Sequence, residues 1–279
     1  MACIRAEKRY KRYLYEVPTT FIEKGVSFMR IAVSDYDGTI ASRSGLIGDV
    51  VPAIEKWRGN GDIFGIATGR DLPMTLAETD KWGIPFDFLI CVNGAAIYDH
   101  EKKLLKARLL TNSLVPRLLT HPAAMASMHY QLSGLGPLKL LLRENSWFPR
   151  IGVPYTEVTM DQALALTDLG QVSFAYDTAE ECEKWTNRLA ADLGSEIAIH
   201  PNKITIDINA PGVDKATGIE ELLVLKDWGR AKVFVIGDGG NDVEMIERFS
   251  GFTVPNADPG AERLATRVFV DVPEMLASV

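Results

Sequence analysis

Short apolar runs that end in glycine or polar residues recur along the chain. These runs span residues 31–34, 63–67, 88–92 and 233–236. Runs of this length between polar segments predict buried strands. Between the first two runs, Val50, Val51, Ile54 and Trp57 recur at the spacing of one helix face. Buried strands that alternate with helices predict an α/β fold, in which helices cover both faces of a parallel sheet.

The middle of the chain has a different pattern. Apolar residues are concentrated at 171–176, 196–199 and 203–208, and a helical pattern runs from Ala179 to Leu193. In the last stretch isoleucines alternate with polar residues, which predicts a strand with one buried and one exposed face. We therefore expect a separate small α+β unit here. Glycine and proline interrupt residues 127–160 repeatedly, and we assign no elements to them.

Residues 1–28 are rich in lysine, arginine and tyrosine and contain no apolar core of a secretory signal. We interpret them as a mobile terminus or as a segment before a natural start at Met29; a basic arm that binds an acidic surface is the alternative. The predicted organisation is an N-terminal extension (1–29), a core domain in two parts (30–109 and 209–279), and a cap domain (110–208) inserted between them.

Composition and charge exclude several classes of protein. The chain has 279 residues, of which 47% are hydrophobic and 24% charged, as in ordinary globular proteins. Its net charge of −7 does not indicate nucleic-acid binding, which is typical of basic proteins. No apolar run is long enough to span a membrane. The cysteines are too far apart for a zinc motif or a disulfide framework. We therefore expect a cytoplasmic monomer or homodimer.

Candidate chemistry begins at the end of the first predicted strand, where Asp35 and Asp37 flank a tyrosine. Residues i and i+2 of an extended chain point to the same side, so the two carboxylates repel one another. A divalent cation or a shared proton would compensate for this repulsion. The alternative interpretation is a solvated turn that caps a helix.

Polar residues also follow the other predicted strands. They are Thr68, Gly69 and Arg70 after the second run, Asn93 after the third, and Asp238, Asn241 and Asp242 after the fourth. Ligands of parallel α/β sheets bind beyond the carboxyl ends of the strands, so these groups are expected to share one crevice. Each alone has an ordinary structural interpretation as a turn or a helix cap. Lys215, at the start of a predicted helix, completes the set.

The order of these motifs resembles that of the haloacid dehalogenase-like (HAD) hydrolases. The resemblance rests on Asp-Tyr-Asp-Gly-Thr at 35–39, Thr-Gly-Arg at 68–70, Lys215, and Gly-Asp-Gly-Gly-Asn-Asp at 237–242. Residues 93–98 and 254–257 look like accessory signatures of the Cof-type group. The resemblance implies a Rossmann-like parallel core with an α/β cap of the C2B kind, inserted between Thr68 and Lys215.

The resemblance also implies roles for individual residues. Asp35 is the expected nucleophile, Asp37 the proton carrier, and Thr68 and Lys215 hold the transferring phosphoryl group. The expected Mg²⁺ ligands are Asp35, Asp238 and the backbone carbonyl of Asp37, with Asp242 on a metal-bound water. Further phosphate or substrate contacts are expected from Gly38, Thr39, Gly69, Arg70, Asn93 and Asn241.

These roles describe a Mg²⁺-dependent phosphatase that forms an aspartyl-phosphate and hydrolyses a small phosphorylated metabolite such as a sugar phosphate. The carboxylate at Asp37 disfavours the dehalogenase and P-type ATPase branches of the superfamily, which lack it. A phosphomutase is the alternative enzyme. A non-catalytic binding or regulatory protein that keeps the fold is the third hypothesis.

Overall fold

The computed structural model describes residues 29–279, so the predictions for residues 1–28 lie outside the described range. The strands, in chain order, are β1 (Arg30–Ser34), β2 (Ala41–Ser42), β3 (Gly45–Leu46), β4 (Ile63–Ala67), β5 (Phe88–Cys91), β6 (Ala96–Asp99), β7 (Leu104–Ala107), β8 (His129–Gly134), β9 (Lys139–Leu142), β10 (Thr156–Glu157), β11 (Leu169–Ala175), β12 (Ala198–Asn202), β13 (Thr205–Asn209), β14 (Lys232–Gly237), β15 (Phe252–Thr253) and β16 (Arg267–Val268). The helices are α1 (Val50–Gly59), α2 (Leu72–Trp82), α3 (Leu114–Leu119), α4 (Pro122–Ala126), α5 (Met160–Leu164), α6 (Ala179–Leu193), α7 (Lys215–Leu225), α8 (Val243–Phe249), α9 (Pro259–Leu264) and α10 (Val272–Ser278).

The larger sheet has eight strands in the order β16-β15-β14-β1-β4-β5-β6-β7. The first six strands in this order, which end with β5, are parallel to one another. At the edge beyond β5, β6 pairs antiparallel with β5 and β7 pairs antiparallel with β6. Ser34 at the end of β1 pairs with Ile236 near the end of β14. The residues that follow these two central strands therefore emerge side by side at one edge of the sheet.

Alternate residues of the central strands pack against helices on opposite faces of this sheet. Ala32 belongs to a hydrophobic cluster with Ile54 of α1 and Met275 of α10. Its neighbour Ile31 belongs to a second cluster with Ile219 of α7. This arrangement follows from the period-2 alternation of a strand, because continuously apolar strands need a cover on both faces. The predicted α/β core with a parallel sheet is confirmed.

A second sheet of six strands, in the order β10-β9-β8-β11-β13-β12, is built between His129 and Asn209. Its pairs are antiparallel except β10 with β9. On β13, Ile206 and Ile208 are buried, whereas Thr205 and Asp207 are partly exposed. The predicted alternation of buried and exposed positions in this strand is confirmed, and so is the helix at Ala179–Leu193.

The strand boundaries in this second unit differ from the predicted ones. A 3-10 turn at Gly194–Glu196 delays β12 to Ala198, and Lys203, at φ +55°, lies in the turn before β13. Residues 127–160 contain three strands that the sequence analysis did not assign. Within residues 29–279, no helix combines the length and apolarity needed to cross a membrane.

Candidate active site

Asp35 and Lys215 form the centre of the candidate site. Asp35 directly follows β1, and Lys215 is the first residue of α7, whose N-cap is Asp214. The Lys215 ammonium donates to Oδ1 of Asp35 at 2.5 Å and to Oδ1 of Asp242 at 2.7 Å. All three side chains are buried. The structure thus brings together groups that are 180 and 27 positions apart in the chain.

Asp238 joins this group from the end of β14. One carboxylate oxygen from each of Asp35, Asp238 and Asp242 lies within 4.8 Å of the other two. Thr39 donates its hydroxyl to Oδ1 of Asp238 at 3.2 Å. A Cβ on Gly38 would lie 2.3 Å from Oδ2 of Asp238, and Gly38 has a φ of +92°. Glycine at this position therefore permits both the turn and the close approach of the Asp238 carboxylate.

Asp242 holds the loop that carries Asp238. Its Oδ2 accepts hydrogen bonds from the backbone N–H groups of Asp238 at 3.0 Å and Gly239 at 2.8 Å. Its other oxygen accepts from Lys215. Because both oxygens are engaged, Asp242 ties the backbone of the loop to the central lysine.

Three buried carboxylates share one ammonium group in this site, which leaves an excess of negative charge. Burial, followed by the charge of Asp242, raises the pKa of Asp35 well above its ordinary value. The same two causes raise the pKa of Asp238. Burial lowers the pKa of Lys215, but the negative charges of Asp242 and Asp35 raise it by more, so its pKa lies above the ordinary value. Clustered carboxylate oxygens are the donor set that Mg²⁺ prefers, so these residues fit a divalent cation.

Asp37 is not a member of this cluster and pairs with Arg70. The guanidinium donates through Nε to Oδ2 and through a terminal nitrogen to Oδ1, both at 2.7 Å. Arg70 also stacks over Tyr36, 5.0 Å from the ring centroid, and its terminal nitrogen lies 3.7 Å from Glu78. The Asp37 side chain is 56% exposed. Each of the two aspartates thus has its own cation, Lys215 for Asp35 and Arg70 for Asp37.

The Thr68 turn lies beside this cluster, at the end of β4. Thr68 is buried, and its Oγ1 accepts from the backbone N–H of Arg70 at 3.2 Å. Among the predicted backbone donors, the N–H of Gly38 is already engaged, because it donates to the Ala41 carbonyl at 2.7 Å. Gly69 lies against Asn93 and Asp207, whose side-chain atoms are 3.3–3.4 Å from the position of a Cβ on this glycine.

Asn93 lies in a tight turn after β5, with Val92 and Asn93 both at positive φ (+55° and +52°). Its side chain is buried and contacts Asn241, in the loop that carries Asp238, and two residues of the six-stranded sheet, Gln171 and Asp207. Asn93 and Asn241 therefore lie together beside the acidic cluster, as their positions at strand ends predict.

Gln171 and Asp207 were missed by the sequence analysis. Asp207 pairs in register with Ser173, which pairs with Gln131, so the three side chains form one row on a single face of the six-stranded sheet. Burial raises the pKa of Asp207, against hydrogen bonds from Ser173 and Asn93 that lower it. The signal that could have found Asp207 is the isoleucine alternation in β13, which places it on the face opposite the apolar one.

Comparisons with known proteins agree with the motif order. A family model described as haloacid dehalogenase-like hydrolase matches residues 32–274. A phosphoglycolate phosphatase of Natronomonas pharaonis is 28% identical over 240 residues, covering 84% of this chain and 88% of the relative. The 5-amino-6-(5-phospho-D-ribitylamino)uracil phosphatase YcsE of Bacillus subtilis is 25% identical over 223 residues, covering 78% and 80%.

Solved structures share the fold at low sequence identity. The HAD subclass IIB sugar phosphatase BT4131 superposes with a TM-score of 0.73 at 20% identity. The match covers 86% of this chain and 93% of that one. At this identity, the likeness establishes the arrangement of the two sheets and no more.

Proposed function

The chain belongs to the haloacid dehalogenase-like hydrolases, and we propose that it is a Mg²⁺-dependent phosphatase acting on a small phosphorylated metabolite. One observation carries the proposal: the Lys215 ammonium bridges Asp35 and Asp242, with Asp238 beside them, at the carboxyl ends of parallel strands. This arrangement combines a buried carboxylate nucleophile with fixed positive charge. The phosphatase names of the relatives support it.

The acidic cluster is the proposed cation site. Asp35, Asp238 and the backbone carbonyl of Asp37 would hold Mg²⁺, with Asp242 acting through a water. When bound, the ion would neutralise charge on the carboxylates and on the phosphate ester, which otherwise repel each other. The excess of negative charge at this cluster supports the assignment.

Two residues of this chain perform the proposed bond changes. A carboxylate oxygen of Asp35 attacks phosphorus in line with the ester oxygen; the P–O bond to the leaving group breaks, and an aspartyl-phosphate remains. Asp37 gives a proton to the departing alkoxide. A water then attacks the aspartyl-phosphate, Asp37 takes its proton, and inorganic phosphate leaves. To carry a proton, Asp37 must exchange its present pairing with Arg70 for contact with the substrate.

Fixed groups around the phosphoryl site supply binding and orientation. Lys215 and Thr68 are proposed to hold the transferring oxygens, and the lysine stabilises charge that builds up in the transition state. Backbone N–H groups of Thr39 and Gly69, together with Arg70 and Asn241, are the further proposed contacts to phosphate or substrate.

The proposed substrate is a sugar or polyol phosphate. In the row that Gln131, Ser173 and Asp207 form on the six-stranded sheet, Asp207 is bound by Asn93, so Gln131 and Ser173 remain for substrate; they offer acceptors and donors but no positive charge. Such a row suits the hydroxyl groups of a neutral leaving group better than an anionic one. Residues 110–208 would act as the cap that places this row over Asp35 and restricts access of bulk water.

Hydrolysis is favoured over a phosphomutase reaction by the position of Asp37. Its side chain is more than half exposed, so water can reach the group that activates it. A binding protein without turnover is disfavoured because nucleophile, proton carrier and phosphoryl-holding lysine are all present. We further propose a cytoplasmic setting and a monomer or homodimer. The setting is consistent with Cys91 and Cys182, which are buried and form no disulfide within residues 29–279.

A panel of phosphorylated metabolites, assayed for phosphate release with Mg²⁺, tests the proposal. We expect release from sugar or polyol phosphates that disappears in Asp35→Asn and with EDTA. Isomerised sugar phosphate without free phosphate would identify a mutase. Release that persists in Asp35→Asn, or no turnover of any ester, would refute the proposed mechanism.

A further inference from the structure

The side-chain amide of Asn93 joins three parts of the molecule that are distant in sequence. Its Nδ2 donates to Oε1 of Gln171 and to Oδ2 of Asp207, both at 2.9 Å. Its Oδ1 accepts from Nδ2 of Asn241 at 2.9 Å. Asn93, Gln171 and Asn241 are buried. Both amide hydrogens of Asn93 are therefore bound by the six-stranded sheet, while its oxygen faces the loop of Asp238.

These contacts determine which way two amide groups point. Gln171 and Asp207 each present an acceptor oxygen to Asn93, so its nitrogen lies on their side and its oxygen is turned toward Asn241. That oxygen in turn requires the nitrogen of Asn241. The Oδ1 atom of Asn241 then lies close to the backbone of Gly239. A Cβ atom placed on this glycine would be 2.6 Å from that oxygen.

The backbone around Asn93 is unusual as well. Val92 and Asn93 both have positive φ values, and for a β-branched residue such as valine this conformation is a genuine outlier. A strained backbone conformation persists only where surrounding contacts hold it in place, and such conformations cluster at functional sites. The turn is held by hydrogen bonds from the Val92 N–H to the Arg70 carbonyl and from the Asn93 N–H to the Thr68 carbonyl.

We propose that Asn93 is a positioning residue through which the six-stranded sheet orders the loop of Asp238 and Asp242. Asp207 and Gln171 orient the amide of Asn93, and Asn93 orients the amide of Asn241. Asn241 then holds the loop in the position at which the carboxylates of Asp238 and Asp242 lie close to Asp35. In this role Asn93 acts without touching the substrate. The inference concerns the order of the loop and goes beyond the proposed phosphatase activity.

An exchange of two functional groups tests this link. In Asn93→Asp, a carboxylate faces the carboxylate of Asp207, and the donors are lost. In the double variant Asn93→Asp/Asp207→Asn, an amide at position 207 donates to the carboxylate at position 93, which still accepts from Asn241. Asp207→Asn alone can keep an acceptor oxygen toward Asn93 and is expected to be mild. Glu196→Gln, at an exposed ion pair with Arg117, is the matched carboxylate-to-amide control.

Hydrogen exchange measured by mass spectrometry reads the order of the loop directly. We expect amide exchange in residues 237–242 to accelerate at least ~10-fold in Asn93→Asp and to return to within ~3-fold of wild type in the double variant. Exchange in α1 should not change. Unchanged loop exchange, equal acceleration in α1, or no recovery in the double variant would each overturn the proposal. If Asn93→Asp does not fold, Asn93→Ala must give the same local acceleration.

Turnover of p-nitrophenyl phosphate with saturating Mg²⁺ adds a second readout. We expect kcat to fall ~10- to 100-fold in Asn93→Asp, with KM within ~3-fold, and to recover in the double variant. An equally large loss in Asp207→Asn alone would contradict the positioning role, since it would assign Asp207 to the substrate. A wild-type protein that turns over neither this ester nor any ester of the metabolite panel would refute the proposed function, while the exchange experiment would still decide the role of Asn93.

Discussion

Lys215 lies with its ammonium nitrogen 2.5 Å from Oδ1 of Asp35, and neither side chain is open to bulk solvent. The same nitrogen is bound by Asp242, so one cation serves two carboxylates while Asp238 stands close by. Removing charge from this cluster is therefore expected to stabilise the protein while removing its chemistry. This opposition between stability and activity gives the first prediction.

Asp35→Asn is expected to abolish phosphatase activity and to raise the melting temperature in EDTA at pH 7 by about 2–4 °C. The pKa of Asp35 is raised in the folded state, so its contribution to stability is complete below the pKa of the unfolded chain and is lost as pH rises through the folded value. An asparagine at position 35 does not ionise, so the variant does not lose this stability as the pH rises. Thermal unfolding at pH 7 and at pH 4 checks the prediction.

The stabilisation should shrink toward pH 4, close to the ordinary pKa of an aspartate, because the unfolded-state carboxyl then regains much of its proton. Asp49→Asn, at an exposed helix start without a side-chain cap bond, is the matched control and should change neither property. Added Mg²⁺ should stabilise the wild type more than Asp35→Asn, since the variant has lost a ligand. A lower melting temperature of Asp35→Asn in EDTA would contradict the charge argument.

Asp37→Asn is expected to show a loss that depends on the leaving group. An alkyl phosphate needs a proton on its departing oxygen, so kcat should fall by about 10²–10⁴. p-Nitrophenolate leaves without one, so the first step should survive and the slow second step should produce a burst close to one equivalent of enzyme. Rapid-mixing measurements with both esters test this. Equal losses for both esters, without a burst, would exclude Asp37 as the proton carrier.

Gly38→Ala is expected to weaken Mg²⁺ binding because the new methyl group would collide with the Asp238 carboxylate. The Mg²⁺ concentration for half-maximal activity should rise by about 10- to 100-fold. Gly61→Ala is the matched control: Gly61 also has a positive φ, +84°, but a Cβ there meets nothing within 4 Å. It should cost about 1 kcal/mol in stability and leave the Mg²⁺ dependence unchanged. Similar Mg²⁺ curves for both variants would argue against this contact.

Asp71→Asn is expected to stabilise the protein above pH 7 by about 1–2 kcal/mol. Asp71 is buried at the N-cap of α2; its Oδ1 accepts from the Met74 N–H, and its Oδ2 has no hydrogen-bond partner among residues 29–279. Burial raises the pKa of this carboxyl to about 6. Wild-type stability should therefore fall as pH rises from about 4 through about 6, because only the folded state keeps the proton there.

Urea unfolding of both proteins at pH 4, 6 and 8 measures this difference. Asparagine keeps the cap, since its side-chain oxygen can accept from the same N–H, and it does not titrate. The gap between the two stabilities should open with rising pH. A gap that is the same at all three pH values would show that Asp71 does not ionise in the folded protein.

Much of the fold and of the site's membership could be predicted because the signals are local. A buried strand of a parallel sheet is a short apolar run, and its carboxyl end is marked by the polar residues that follow. Asp35, Thr68 and Asp238 could be grouped in advance because parallel strands bring these ends to one edge. The strands of residues 127–160 could not, because glycines and prolines hide the period-2 pattern there.

The sequence by itself determined the parallel core, the strand-end motifs and the residues that gather around Lys215. Only the tertiary structure decided which partner each side chain takes. It paired Asp37 with Arg70 and joined Asn93 to Asp207, a residue 114 positions away. Periodicity reports which face of an element is buried, whereas a hydrogen bond between elements depends on how two separately formed sheets are placed together. That placement carries no signature in either local sequence.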